Sequence, residues 1–246
     1  MKLVAVIPAR YGSSRFEGKP LALIGGIPMI VWVYNRVKKS ALISEVYVAT
    51  DDERIAEVCK IHGLAHLMTA SNHRTSTERL HEVSQKVDAD LYICVNGDEP
   101  LVDYRLIEKI IPSSFPNTVP FVANLTCKIC SAPEVIDPTN IKVVFSSQGN
   151  AQFMSRAPIP FPKSSLYFDY YKHIGVLIYN KLALTFFADT QPGFNERIED
   201  VNELRFIENG VNVKMVEIEP VQGVSVDTPK DLEKVRQIVA ELDLQP

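Results

Sequence analysis

Three cations in one short loop, Arg10, Arg15 and Lys19, are the residues with the clearest potential for chemistry. The loop follows an apolar segment, residues 2–7, which predicts a first β-strand that ends at Pro8. Backbone N–H groups and cationic side chains at such a strand end can converge on one anion. Because three neighbouring cations repel one another, their spacing indicates a polyanionic ligand such as a nucleoside triphosphate.

This loop does not match the two common phosphate-binding patterns. A Walker A loop reads G-x-x-x-x-G-K-[ST], whereas Gly12 and Gly18 are one residue further apart and Pro20 follows Lys19. Proline has no hydroxyl that could bind Mg²⁺, so a metal ion would need ligands from elsewhere in the chain. The dinucleotide fingerprint G-x-G-x-x-G is also missing from the loop.

The elements that must position this loop predict an α/β fold. Apolar runs and helical periodicity alternate, which is typical of a parallel sheet with crossover helices. We predict strands at residues 2–7, 45–50, 90–95, 141–145, 176–179 and 211–217, and helices at 29–39, 51–62, 75–87, 181–189 and 198–209, with a last helix from Pro229. The predicted architecture is a Rossmann-like, mostly parallel sheet with helices on both faces, in a single domain over residues 1–246.

One carboxylate at a predicted strand end is a candidate metal ligand. Asp98 follows the buried strand 90–95 within Asn96-Gly97-Asp98-Glu99-Pro100. In open parallel sheets, ligands bind at the carboxyl ends of the strands, and a carboxylate there suits Mg²⁺. The alternative is that Asn-Gly-Asp only forms a turn.

A polar segment, residues 72–79, precedes the predicted helix that runs through Val87. Thr75 and Glu78 match a capping box, in which the two side chains bond the first backbone N–H groups of a helix. The same polar groups also suit the edge of a nucleotide base. Local sequence leaves both interpretations open.

Composition restricts the class of protein. The chain carries 26 Lys and Arg against 30 Asp and Glu, a net charge of −4, so we expect no general affinity for nucleic acid. No apolar run reaches the roughly 18 residues that a membrane span needs, and the N-terminus lacks a signal-peptide pattern. Four cysteines favour a reduced, cytoplasmic protein, and the C-x-x-C pair of Cys127 and Cys130 predicts a structural role within a strand.

Eight motifs in order resemble the 3-deoxy-manno-octulosonate cytidylyltransferases, the CMP-Kdo synthetases, nearly from end to end. The related sialate cytidylyltransferases share fold and chemistry but are less similar. The motifs that carry the resemblance are Pro8-Ala-Arg-Tyr-Gly-Ser-Ser-Arg-x-x-Gly-Lys-Pro-Leu, Ala49-Thr-Asp-Asp, His73 with Thr77-Glu-Arg79, Gly97-Asp-Glu-Pro100, Lys142-Val-Val, Ser155-Arg-x-x-Ile-Pro, His173-x-Gly and Val226-Asp-Thr-Pro-x-Asp-Leu-Glu.

The resemblance implies a nucleotidyltransferase fold of the glycosyltransferase-A-like kind, with a smaller β-rich segment at about residues 150–200 that helps to form a homodimer. It implies that CTP and a 3-deoxy-2-keto sugar acid react to give a CMP-sugar and pyrophosphate, with Mg²⁺ as the metal. Products of this kind feed lipopolysaccharide or capsule. Phosphoryl transfer of this type asks the protein mainly for alignment and charge neutralisation, which the first loop and two carboxylates can supply.

Roles carry over to this chain residue by residue. Arg15, Lys19, Asp98 and Asp227 would be the catalytic residues, and the two aspartates would also hold Mg²⁺. Nucleotide binding would fall to Arg10, Arg15 and Lys19 at the triphosphate, and to His73, Thr75, Ser76, Thr77 and Arg79 at the cytosine and ribose. The sugar acid would be contacted by Asn96, Lys142, Arg156, His173, Leu177, Asn202 and Glu203, although Lys142 equally suits a solvent-facing strand position.

The departures from the family pattern cluster at the acceptor positions. Asn96 replaces a usual Gln, Leu177 a usual Tyr, and Asn202-Glu203 the usual Glu-Gln, while in the nucleotide loops Thr75-Ser76 replaces Ser-Gly and Glu17 replaces Pro. Because an unpaired buried polar group costs free energy, such exchanges can change which acid binds. Two hypotheses remain, an ordinary Kdo enzyme and one for another acid such as 8-amino-Kdo or a nonulosonic acid. A nucleotide-binding module without catalysis is disfavoured, since a binder need not keep two metal carboxylates.

Overall fold

Two units make up the chain in the computed structural model, which describes residues 1–12, 15–164, 168–220 and 225–246. The first unit comprises residues 1–108 and 222–246, and the second comprises residues 109–221. Among the described residues, no helix is both long enough and apolar enough to cross a membrane.

Strands and helices alternate in the first 109 residues. Their bounds are β1 Leu3–Ala9, β2 Leu23–Ile24, β3 Ile27–Pro28, α1 Met29–Lys38, β4 Glu45–Thr50, α2 Glu53–Ile61, β5 His66–Met68, α3 Ser76–Lys86, β6 Leu91–Val95 and α4 Tyr104–Lys109. Four of the strands lie in the order β6–β1–β4–β5, and every pair is parallel. The predicted α/β class with a mostly parallel sheet is confirmed.

The first strand is longer than its sequence predicts. β1 continues through Pro8 to Ala9, where the register pairs Pro8 with Ala49 of β4. The pairing of β1 with β6 ends at Val6. At Pro8, the register therefore pairs β1 with β4 alone. Proline is tolerated at such positions because its missing N–H leaves no ladder bond unmade. The predicted strand end at Pro8 is therefore wrong.

The second unit is built on a mixed sheet. Its elements are β7 Val122–Lys128, α5 Ala132–Ile136, β8 Lys142–Phe145, β9 Ala151–Ser155, β10 Tyr171–Tyr179, α6 Lys181–Asp189, α7 Phe194–Glu199, α8 Leu204–Glu208 and β11 Val213–Ile218. β11 runs parallel to β7, whereas β7–β10, β10–β8 and β8–β9 are antiparallel. The segment 150–200, predicted to be β-rich, holds β9 and β10 and the helices α6 and α7.

One predicted helix is two helices. The apolar pattern over residues 198–209 predicts a single helix, but α7 ends at Glu199 and α8 begins at Leu204. Asp200 between them has a φ of 53°, in the left-handed region where helices commonly end. The prediction of one helix is wrong. The spacing of apolar residues does not reveal that Asp200, which is not a glycine, adopts the left-handed backbone conformation.

The chain closes the first unit with helix α9, Pro229–Glu241, which begins at a capping box of Thr228 and Asp231. Apolar residues of α9 pack with β2 and α1 in one buried cluster made of Ile24, Met29, Trp32, Val226, Leu232, Val235 and Val239. The run that begins Gly223-Val-Ser-Val also predicts a short strand that ends at Asp227. Residues 225–227 form no strand, and residues 221–224 lie outside the described residues.

Gly97 fixes how closely the loop after β6 approaches β1. A Cβ atom on Gly97 would lie 2.9 Å from the carbonyl oxygen of Pro8, which is backbone and cannot rotate away. Glycine is thus the residue that lets the chain turn at the end of β6 and carry Asp98 beside the end of β1.

We therefore expect Gly97→Ala to lower the free energy of unfolding by about 1–3 kcal/mol, the usual cost of overpacking. Gly12→Ala is the matched control, because a Cβ atom there meets nothing within 4 Å. Urea denaturation of both variants checks the prediction, and equal midpoints for the two would contradict it.

Candidate functional site

Lys19, Asp98 and Asp227 form the centre of the candidate active site in the first unit. The ammonium Nζ of Lys19 lies 2.8 Å from Oδ2 of Asp98 and 3.6 Å from Oδ1 of Asp227. Arg15 adds a second cation, with Nη2 donating to Oδ1 of Asp227 at 2.8 Å. Lys19 is 15% exposed and each aspartate 22%, whereas Arg15 is 54% exposed. The predicted catalytic set is therefore one contiguous cluster of charges.

The loop after β1 places Lys19 through a tight turn. Gly18 has a left-handed φ of 67°, and its N–H donates to the carbonyl of Tyr11 at 2.8 Å. A 3₁₀ turn, Lys19–Leu21, follows directly and buries Pro20. The proline that excludes a Walker A loop thus anchors this turn. Ser13 and Ser14 of the same motif lie outside the described residues.

Asp227 is positioned by the residues on either side of it. Val226 is fully buried in the apolar cluster, and its N–H donates to the carbonyl of Asp98 at 2.9 Å. On the other side, Thr228 caps α9. These contacts tie the two carboxylate-bearing loops to each other by backbone.

A cation that the sequence analysis missed also lies beside the first loop. The guanidinium of Arg54 stacks 3.2 Å above the ring centroid of Tyr11, and Asp52 binds its Nε and Nη2 at 2.9 and 2.7 Å. Asp52 also caps α2, a signal that the sequence contains, but nothing in the sequence links Arg54 to Tyr11. Arg10, the residue before Tyr11, is exposed, and no described residue forms an ion pair with it.

The polar loop before α3 is a capping box, as one of the two interpretations predicted. The Thr75 hydroxyl accepts from the N–H of Glu78, and the Glu78 carboxylate reaches back to the N–H of Thr75. His73 instead faces Glu82, with Nε2 2.6 Å from Oε2. Burial raises the pKa of Glu82, but hydrogen bonds from Lys86, the Ala70 N–H and His73 outweigh it and lower that pKa to about 2. A contact of this loop with a base stays a prediction.

Two of the predicted nucleotide-binding residues in α3 are buried. Thr77 and Arg79 are each 1% exposed, and the Thr77 hydroxyl has no hydrogen-bond partner among the described residues. Arg79 donates to the hydroxyl of Thr69 and lies 3.3 Å from the Asp51 carboxylate. Burial lowers the pKa of Arg79, while Asp51 opposes that shift. Ser76, by contrast, is partly exposed at the start of the helix.

The predicted acceptor residues Arg156 and Lys142 lie in the second unit, and both donate to backbone carbonyls. Arg156 donates to the carbonyls of Glu199, Pro138 and Asp200 at 2.7–3.0 Å. A guanidinium has five N–H donors, so two remain for a ligand.

Lys142 is fully buried, and its Nζ donates to the carbonyls of Asp137 and Asn140 at 2.9 and 2.7 Å. Burial lowers its pKa. The alternative of a solvent-facing lysine is therefore wrong, because its ammonium group closes the turn that leads into β8.

His173 lies in β10, half-buried, with Nδ1 2.8 Å from Oδ1 of Asn124 in β7. Burial, and next the positive charge of Arg156, lower the pKa of His173 to about 4, so the ring is neutral at neutral pH. Leu177, which occupies the usual Tyr position, is 3% exposed and pairs in register with Asn124.

Glu203 is a buried acid beside a buried ion pair. Arg205 binds Glu196 through two bonds, Nε–Oε2 at 2.8 Å and Nη2–Oε1 at 2.5 Å, and its guanidinium stacks 3.7 Å above the Phe187 ring. Glu203 is 6% exposed, and burial, with the charge of Glu196, raises its pKa to about 7. Its neighbour Asn202 is half-buried and accepts from the Arg205 N–H through its carbonyl.

The remaining acceptor candidate, Asn96, belongs to the first unit and directly precedes Gly97. Its Oδ1 lies 3.9 Å from the Cys94 sulfur. Within the described ranges, no three His, Cys, Asp or Glu side chains are close enough to form a metal site on their own. A metal ion at Asp98 and Asp227 would therefore take its remaining ligands from substrate and water.

Comparisons with known proteins show the family of the chain. A family model described as cytidylyltransferase matches residues 4–218. The 3-deoxy-manno-octulosonate cytidylyltransferase of Escherichia coli is 40% identical over 240 residues, which cover 98% of this chain and 97% of that protein. The protein of the same description from Geotalea daltonii is also 40% identical, over 96% of this chain and 97% of its own.

Solved structures give the same result. A CMP:2-keto-3-deoxy-manno-octonic acid synthetase complexed with CTP matches with a TM-score of 0.89 and 39% identity, covering 98% of this chain and 100% of that chain. The inositol-1-phosphate CTP transferase of T. maritima matches with a TM-score of 0.69 and 13% identity, covering 99% of this chain and 96% of that chain. The second likeness shows the fold alone.

The Glu203 environment predicts a pH-dependent stability. An unfolded Glu titrates near pH 4.5, and the folded pKa is about 7, so the folded state binds the extra proton between these values. The stability contributed by the neutral carboxyl is fully present below pH 4.5 and is lost as the pH rises through 7, by about 3 kcal/mol. We expect Glu203→Gln to remove this loss, so that at pH 8 the variant is more stable than the original chain.

Urea denaturation at pH 5 and pH 8 measures this difference. Glu219→Gln is the control, because Glu219 is an exposed acid of the same unit and its replacement should leave the pH dependence unchanged. An identical fall in stability for Glu203→Gln and the original chain would show that Glu203 is ionised in the folded state.

Proposed function

The chain belongs to the cytidylyltransferase family, among the 3-deoxy-manno-octulosonate cytidylyltransferases, and from this premise we propose that it transfers CMP from CTP to a 3-deoxy-2-keto sugar acid, Kdo in the first instance. The anomeric hydroxyl of the acid attacks the α-phosphorus of CTP, the bond from that phosphorus to the bridging oxygen breaks, and pyrophosphate leaves. The observation that carries this proposal is the contact of Lys19 with both Asp98 and Asp227.

The first loop supplies the charge that the triphosphate requires. Arg10 is exposed and the Arg15 side chain more than half exposed, so both can turn toward phosphate oxygens. Lys19 is the least exposed of the three and is fixed by the Gly18 turn. Fixed cations lower the free energy of an in-line displacement because they need no reorganisation as charge develops.

The two aspartates fit Mg²⁺ by the chemistry of their donors. An ammonium group already lies against both carboxylates, as a stand-in for a cation at this position. Mg²⁺ is usually held by one or two carboxylates together with substrate phosphates and water. When bound, Mg²⁺ would supply charge neutralisation between the nucleophile and the phosphates. With the ion on the carboxylates, Lys19 and Arg15 would be released to the triphosphate.

The loop before α3 would meet the cytosine and ribose through the residues that the structure leaves accessible. His73 is half-buried, and Ser76 is partly exposed at the N-terminal end of α3. Thr75 uses its hydroxyl as a cap, and Thr77 and Arg79 are buried, so these three would hold the loop in shape for the base. Two further parts of the proposal are a homodimer, which rests on the family resemblance, and a cytoplasmic location, which rests on the cysteine content and the N-terminal pattern of the sequence.

Leu177 and Glu203 keep an acid other than Kdo as an alternative acceptor. Both are buried, one as an apolar side chain and the other as a carboxyl with a raised pKa. Leu177 makes no side-chain hydrogen bond in place of the usual Tyr, and a carboxyl at position 203 offers at most one O–H donor where the usual Gln offers two N–H donors. An acid with an altered polar group, such as 8-amino-Kdo or a nonulosonic acid, would fit such a change.

We expect Asp98→Asn to abolish binding of Mn²⁺, the paramagnetic substitute for Mg²⁺, in the presence of CTP. Turnover should fall by about a hundredfold or more, because an amide cannot neutralise the ion. Electron paramagnetic resonance measures the binding and pyrophosphate release measures the turnover.

Asp103→Asn is the matched control, since Asp103 follows in the same loop and its carboxylate is held by Arg105 at 2.7 Å. It should behave as the original chain does. Activity of Asp98→Asn within about tenfold of the original would refute the metal assignment.

An acceptor panel tests the function itself. With CTP and Mg²⁺, we expect pyrophosphate release with Kdo at a KM no higher than for 8-amino-Kdo or N-acetylneuraminate, and none without an acceptor. Release with another acid and not with Kdo would support the altered acceptor, and no release with any of them would contradict both.

A further inference from the structure

A buried amide in the second unit meets His173, the one histidine that the family resemblance assigns to the acceptor. Asn124 is fully buried in β7. Its Oδ1 lies 2.8 Å from Nδ1 of His173, and its Nδ2 donates to the carbonyls of Ile174 and Val176 at 2.8 and 3.1 Å. None of these contacts is needed for a regular strand pair.

The reason for this arrangement is an irregularity in the pairing of β7 with β10. His173 pairs with Thr126 and Leu177 pairs with Asn124, so the register shifts between His173 and Leu177. Extra residues on one strand leave carbonyls without ladder partners. The Asn124 amide replaces those missing partners with its two N–H groups.

These bonds fix which way the Asn124 amide points. A flipped amide would turn its oxygen toward two carbonyl oxygens and leave all three without a donor. With both N–H groups donated to carbonyls, the oxygen is the group that faces His173, and it can only accept. Nδ1 of His173 must therefore carry the proton, and in a neutral imidazole the other nitrogen, Nε2, is then an acceptor.

Nε2 is the free end of this chain of bonds. Over residues 1–12, 15–164, 168–220 and 225–246, no side chain or backbone group forms a hydrogen bond with Nε2, and His173 as a residue is partly exposed. A carboxylate cannot donate to such a nitrogen, whereas a hydroxyl can. The ring is thus prepared for a hydroxyl group and not for the acid group of the acceptor.

We propose that Asn124 is a positioning residue that holds His173 as its Nδ1–H tautomer, so that Nε2 accepts a hydrogen bond from a hydroxyl of the acceptor sugar. The second half of this statement rests on the proposed function, and the first half does not. It follows that the acceptor carboxylate is bound elsewhere, by donors such as the two remaining N–H groups of Arg156.

Nitrogen-15 NMR of the histidine rings in the original protein, without ligand at pH 7, tests the tautomer directly. We expect His173 to show a protonated Nδ1 and an unprotonated Nε2, with the signal assigned by its loss in His173→Gln. A protonated Nε2, or a charged ring, would overturn the proposal whether or not any acid is a substrate.

Asn124→Leu tests the consequence for the acceptor. It removes the amide at similar size, so His173 should become a mixture of tautomers. The KM for the acceptor should rise about tenfold, while the KM for CTP changes less than twofold. Thr126→Val is the matched control, because Thr126 is a buried neighbour whose hydroxyl donates to the Lys172 carbonyl and not to the ring.

The outcomes separate the two proposals. An unchanged acceptor KM in Asn124→Leu, or an equal rise in Thr126→Val, would overturn the positioning role. Absence of pyrophosphate release with every acid in the original protein would instead remove the proposed function, and the NMR result would still stand as the test of the tautomer. The NMR result also decides the tautomer if Asn124→Leu fails to fold.

Discussion

Repulsion between two carboxylates is the constraint on which the candidate active site depends. Asp98 and Asp227 come from loops far apart in the chain, yet backbone contacts hold both beside one ammonium group. Two such charges stay together only if a cation compensates them. Lys19 supplies that cation in the protein by itself, and under the proposed function Mg²⁺ supplies it with substrate bound. The same lysine is then free for phosphate, so nucleotide and metal would each favour the binding of the other.

In the second unit, irregular backbone determines where polar side chains go. Lys142 closes the turn before β8, Arg156 binds two carbonyls at the end of α7 and that of Pro138, and Asn124 fills the register shift of β10. Each of these buried or half-buried donors satisfies backbone carbonyls at a turn, a helix end or a register shift, where regular backbone pairing stops. What is left over is a short set of groups that can meet a ligand. Among the described residues, it includes two N–H groups of Arg156, Nε2 of His173 and the carboxyl of Glu203.

Much of the first unit could be predicted from sequence because its pattern is local. Apolar runs, caps and alternation determine the parallel strands and the helices between them, and the charged loop lies at the strand end as expected. The second unit was harder to predict. The left-handed Asp200 divides a helix whose apolar spacing is continuous, and Lys142 is buried although lysine usually is not. Both depend on tertiary contacts that no window of sequence contains.

The candidate site also contains residues that the sequence predicts and residues that it does not. The residues around Lys19 could be predicted because phosphate and metal chemistry demands charged residue types in dense motifs. Asn124 could not, because an asparagine inside an apolar strand signals only that some polar partner is near. Its role depends on a register shift, on two carbonyls and on a histidine in another strand, which the fold alone brings together. Under the proposed function, acceptor specificity would depend on which of a few atoms donate and which accept a hydrogen bond. Leu177 and Glu203 would alter those atoms, and both belong to a different unit from Lys19 and the two aspartates.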